Sequence, residues 1–191
     1  MHRCYACALP LILGLAALSC SDPVPASAAV GLTLKMQPSA SCPYDSNLVD
    51  DIGQIGGDGK PQSPNSLAGT PGKRVYSGES GLDASCSITG GGPFSISGGG
   101  SMSDPRISFN IEGTMNANGQ GTATMTFASN SIGEGVTSDP GACTLTAVQT
   151  SDGVQIHPGA MWAQFNCPSV KNVPTINCMA FGELILENCK K

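Results

Sequence analysis

Alternating apolar and polar positions dominate the chain. The pattern is sharpest in "RISFNIEG" (106–113), where Ile107, Phe109 and Ile111 point one way and Ser108, Asn110 and Glu112 the other. "GTATMTFA" (121–128) repeats it, with Ala123, Met125 and Phe127 inward. Successive side chains of a strand leave on opposite faces, so each segment predicts a half-buried strand. Between them "NANG" (116–119) holds an Asn-Gly step that tolerates positive φ and predicts a hairpin turn. Pairing 111 with 123, 109 with 125 and 107 with 127 keeps one register.

Similar segments predict strands over 30–36, 73–77, 83–89, 93–98, 142–149, 160–167 and 179–187. Short strands at this spacing, about nine in all, predict an all-β, antiparallel two-sheet β-sandwich, jelly-roll-like, as one domain over 30–191. The expected core is Phe94, Ile96, Ile107, Phe109, Ile111, Met125, Phe127, Leu145, Phe165, Leu184 and Leu186. The glycine triplets at 90–92 and 98–100 predict turns on either side of a strand. Residues 53–72 have no period and are dense in Gly, Pro and Ser, which predicts a long surface loop.

The first thirty residues break the pattern. Ala8 to Leu18 carries no charge and is nearly all apolar. As a helix it reaches about 16 Å, short of the roughly 20 residues a bilayer requires. His2 and Arg3 before it and small residues after it make a secretory signal. Its exit, Ala17-Leu18-Ser19-Cys20, resembles the lipobox of bacterial lipoproteins. In that class the chain is cut before the cysteine, whose thiol takes diacylglycerol and whose new amino group is often acylated. The resemblance implies a signal peptide over 1–19, a lipidated Cys20, a tether over 20–29 and attachment to the cell envelope. Ser21, rather than an aspartate, follows the cysteine, which implies the outer membrane. A second exit stands at "ASA" (26–28) or one residue later. Cutting there discards Cys20 and leaves a soluble secreted or periplasmic protein.

The chain has nine cysteines. Cys4 and Cys7 lie in the signal. Under either cut Cys42, Cys86, Cys143, Cys167, Cys178 and Cys189 remain. Six cysteines in an exported domain predict three disulfides. Their wide spacing, with a single mature histidine, speaks against zinc. Cys178 and Cys189 flank one strand and stand roughly 35 Å apart at about 3.3 Å per residue, so they do not pair with each other. A register of 147 with 163 and 145 with 165 brings Cys143 opposite Cys167.

Charge narrows the partners. From Cys20 onward there are eight basic residues (nine less Arg3) against fourteen acidic, a formal −6. Nucleic acid requires clustered Lys and Arg, so it is not an expected partner. "GTPGKR" (69–74) lacks the Ser or Thr and the first Gly of a phosphate loop. Asp50, Asp51 and Asp58 miss calcium-loop spacing and predict a solvated loop. His157, in "QIHPG", sits in an expected turn with no nucleophile motif beside it. Trp162 falls on the side opposite Met161, Ala163 and Phe165, where an outward ring suits a sugar or a partner; Tyr76 and Tyr44 would extend that platform. No catalytic residue, metal or cofactor is expected. The leading expectation is a non-enzymatic binding or structural protein of the envelope, with the membrane and an unidentified protein or glycan as partners. Its alternatives are a carbohydrate-binding module using Trp162 and the 53–72 loop, and a small hydrolase around His157.

Overall fold

Alternation becomes β-structure almost wherever it occurs. The computed structural model describes residues 23–35, 42–43, 48–52, 54–55, 73–74, 76–79, 81–103, 107–130, 132, 135–150, 152–172 and 176–191. Cys20, Tyr44, Asp58 and the 53–72 loop, apart from Gln54–Ile55, lie outside them. The strands are β1 (Ser27–Lys35), β2 (Leu48–Ile52), β3 (Gln54–Ile55), β4 (Lys73–Arg74), β5 (Asp83–Gly90), β6 (Phe94–Ser101), β7 (Ser108–Met115) and β8 (Gln120–Ala128). They continue as β9 (Val136–Ser138), β10 (Cys143–Ala147), β11 (Gln149–Thr150), β12 (Gly153–Val154), β13 (Ile156–His157), β14 (Ala160–Asn172) and β15 (Ile176–Glu187).

Eleven strands join one antiparallel sheet in the order β2-β1-β15-β14-β10-β8-β7-β6-β5, with β9 against β8 and β14, and β13 against β14. The two large sheets expected are therefore one, with β3–β4 and β11–β12 as separate two-stranded ladders. The reason is β10, which pairs with both β8 and β14 and so carries the ladder from one half to the other. The sheet coils until its halves face each other. A Cβ on Gly98 of β6 would lie 3.2 Å from Leu186 of β15, and one on Gly100 would lie 3.7 Å from the Ala28 carbonyl of β1. At one end the coil nearly closes: Ile88 N–H donates to Lys190 O at 2.9 Å, and Lys190 N–H donates to Cys86 O at 3.0 Å.

The core holds every expected residue, with Ile107 only partly buried at its margin. Phe127 stacks on Phe165, ring centres 5.5 Å apart. Three disulfides close it: Cys143–Cys167 as the register predicted, Cys42–Cys178, and Cys86–Cys189. Bonds of this number belong to an oxidising compartment, so the protein is extracytoplasmic.

Several boundaries differ from expectation. The β7–β8 hairpin forms, but Ile111 pairs with Met125 and Phe109 with Phe127, a shift of two residues. The Asn116 side chain accepts from Asn118 and Gln120 N–H, both at 3.0 Å, and Gly119 takes φ of 77°, so the turn centres later. A two-residue shift returns each side chain to its own face, which is why the core is unaffected. Gly98–Gly100 form strand rather than turn, because the neighbouring strand is too close for a side chain: a Cβ on Gly99 would lie 2.4 Å from Phe109 O. The expected strand 73–77 reduces to β4 and an isolated bridge from Tyr76 to Ser27. Asp50 and Asp51 lie in β2, paired with β1, rather than in a loop. β1 begins at Ser27, three residues inside the expected tether.

Candidate binding groove

Two rungs of side chains cross the outer face of the sheet. One runs from Thr33 on β1 through Phe181 on β15 and Asn166 on β14 to Thr144 on β10. The next runs from Gly31 through Glu183 and Gln164 to Thr146. Strand alternation puts these residues outside because Ala180, Leu184, Leu186, Ala163, Phe165 and Leu145 occupy the inside. Gly31 apart, the residues of both rungs line a depression of about 500 Å³.

Glu183 is its most unusual member. The residue is only 8 % exposed. Gln164 Nε2 donates to its Oε1 at 3.3 Å, while Oε2 is buried without a hydrogen-bond partner. Burial raises the carboxyl pKa above its ordinary value, and the Gln164 bond opposes that rise. Among the described residues lining the groove there is no Lys or Arg to neutralise it. Beside it Phe181 is 37 % exposed; Val24 is the other large apolar side chain exposed among the described residues.

The residues singled out from sequence stand elsewhere. Trp162 does lie on the outer face, next to Ile185, but half-buried, with its indole Nε1 buried and unpartnered. Its backbone is held on one side by Val148 N–H at 2.9 Å and Gln155 O at 3.0 Å. It shares a cavity of about 80 Å³ with Gln155, His157 and Glu187. His157 is exposed and also borders a depression with Tyr76, Val24 and Lys191 near the chain terminus. Trp162 and Tyr76 thus each meet His157 without lining a common cavity among those described. No three His, Cys, Asp or Glu converge as a metal site would require among the described residues.

Sequence reasoning passed over Phe181, Glu183, Gln164 and Asn166. The available signal was in "MAFGELILE": reading its inward set as Ala180, Leu184 and Leu186 leaves Phe181 and Ile185 on the polar face. An aromatic on that face is the anomaly to pursue.

Fold and bonds define a class: a disulfide-closed, extracytoplasmic antiparallel β-protein with a polar groove on its outer face. No protein-family model, curated protein or solved structure matches the chain.

Proposed function

We propose that this protein is a non-enzymatic binding protein of the bacterial cell envelope, anchored through an acylated Cys20 and presenting the Phe181–Glu183 groove away from the membrane. The observation that carries the anchor is the start of β1. Ser27, Ala28 and Ala29 are buried and pair with Glu187, Leu186 and Ile185. The chain just before them is also held, since Ala26 O accepts from Ser77 N–H at 2.8 Å and Pro25 O from Asn188 Nδ2 at 3.2 Å. A cut after Ala28 or Ala29 would remove these contacts from a core strand. A cut before Cys20 keeps β1 whole and leaves Cys20–Val24 as the tether, at most about 18 Å long when extended.

Each buried methylene contributes about 0.8 kcal/mol, so two or three acyl chains hold a protein firmly where one does not. Thr33 and Phe181 lie six residues along β1 from Ser27, roughly 20 Å. That spacing supports a groove held beyond the anchored end. The test is the intact mass of the mature protein from its native host. Expected is a mature chain that starts at an acylated Cys20 and whose mass lacks the six hydrogens of three disulfides. A chain starting at residue 29 or 30 without lipid would overturn the anchor.

A further inference from the structure

We propose that the groove over β1, β15, β14 and β10 is a subsite for a neutral carbohydrate, with the Phe181 ring as its stacking platform and Glu183, Gln164 and Asn166 as its hydroxyl-binding groups. This rests on the binding-protein reading above and names the class of ligand.

Three features converge on that class. The faces of a pyranose ring are C–H surfaces and its rim is hydroxyl. An exposed aromatic ring within a polar surround matches both at once. Phe181 is such a ring, with Thr33 and Asn166 as its cross-strand neighbours. Second, a buried polar atom without a partner is costly, and a ligand that supplies the partner recovers that cost. Glu183 is more than nine-tenths buried, lines the groove and leaves Oε2 unpartnered. A carboxylate only accepts, and a sugar hydroxyl donates to it once the buried Oε2 turns toward the groove. Carboxamides such as Gln164 and Asn166 offer a donor and an acceptor side by side, which suits adjacent hydroxyls. Third, the groove has a carboxylate and, among its described lining, no cation. An acidic sugar would set its own carboxylate against Glu183, so the ligand is neutral. Four strands by two rungs give a floor of about 14 by 7 Å, suited to a short oligosaccharide. Gly31 leaves the β1 side of Glu183 without a side chain.

The test presents the disulfide-intact mature protein to immobilised neutral and uronic-acid-containing oligosaccharides and to a basic peptide, with calorimetry on whatever is retained. Expected is retention of neutral glycans and rejection of the uronic acids. Phe181→Ala should weaken binding about tenfold, the loss of one aromatic contact. Glu183→Gln should weaken neutral glycans and admit the uronic acids, a change of preference that a merely structural role would not produce. Ser95→Ala, on the outer face of the other half, should leave affinity unchanged, and circular dichroism reports whether each variant is folded. Failure to retain any neutral glycan, retention of the basic peptide alone, or equal affinity in folded Phe181→Ala would overturn the proposal. Those outcomes leave the anchor standing if the mature mass begins at Cys20. Glycan binding by a chain that starts at residue 29 or 30 would instead remove the anchor and keep the sugar site.

Discussion

The β5–β8 meander and the β1–β15–β14 ladder use the same antiparallel pairing but are closed by different means. In the meander each strand pairs with the next one along the chain, from β5 to β6 to β7 to β8. Its turns set the pairing locally. In the ladder Ser27 meets Glu187, 160 positions later, so no turn can set that register. Two of the three disulfides serve the distant closure: Cys42–Cys178 ties the segment after β1 to β15, and Cys86–Cys189 ties β5 to the segment just after β15. The outer faces differ too. The meander shows mostly small hydroxyls, Ser85, Ser87, Ser95, Ser97, Thr122 and Thr124, with Asp83, Asn110 and Glu112 exposed among them. The ladder shows Phe181, Glu183, Gln164 and Asn166. The proposed binding residues sit on β14 and β15, beside the distant pairing of β15 with β1.

The sharpest way to break this contrast is to open one crosslink that spans a long stretch of chain and one that spans a short stretch. A disulfide constrains the unfolded chain more when it spans a longer loop. Cys86–Cys189 spans 103 positions and Cys143–Cys167 spans 24. The double variant Cys86→Ala/Cys189→Ala should lose about 4–5 kcal/mol in urea unfolding, against about 3 kcal/mol for Cys143→Ala/Cys167→Ala. Equal losses, or the reverse order, would mean the distant closure is not specially dependent on its bond.

A smaller effect probes the local half. Asn116→Ala removes two side-chain acceptor bonds from the β7–β8 turn and should cost about 1 kcal/mol. The Ile111–Met125 pairing should survive, because eight residues per strand still hold it, and cross-strand nuclear Overhauser contacts would show this. A slip to a different register would show that this one side chain sets it.

The smallest effect is a slope. Glu183 titrates higher in the native state than its ordinary 4.5. Between those two values the native protein binds more protons than the unfolded chain. Stability therefore falls as pH rises through that window, and the penalty stays above it. Glu183→Gln carries no such penalty, so its Tm relative to the parent should rise from acid to neutral pH. A Tm difference that stays flat across that range would show that Glu183 is not destabilised by ionisation in the native fold.

Much of the scaffold was legible. Inward sets such as Phe109, Ile111, Met125 and Phe127 follow from period two alone, because each strand is polar on one side. Cys143 opposite Cys167 was legible because they end two strands whose apolar residues align. The partners of Cys178 and Cys189 were not, since they depend on which distant strand curls over which. The groove was illegible for the same reason. Phe181, Asn166 and Thr144 belong to three segments, and only cross-strand register places them in one row.

Sequence alone determined that this chain is all-β, which residues face inward, and that its later cysteines serve an exported fold. These are consequences of alternation and composition, which act residue by residue. Tertiary structure decided that eleven of the strands make one coiled sheet instead of a two-sheet sandwich, that β1 starts at Ser27, and that a buried carboxylate and an exposed ring share a groove. Those outcomes depend on pairing between residues far apart in the chain, where many registers satisfy the same alternation and only simultaneous packing of both halves selects one.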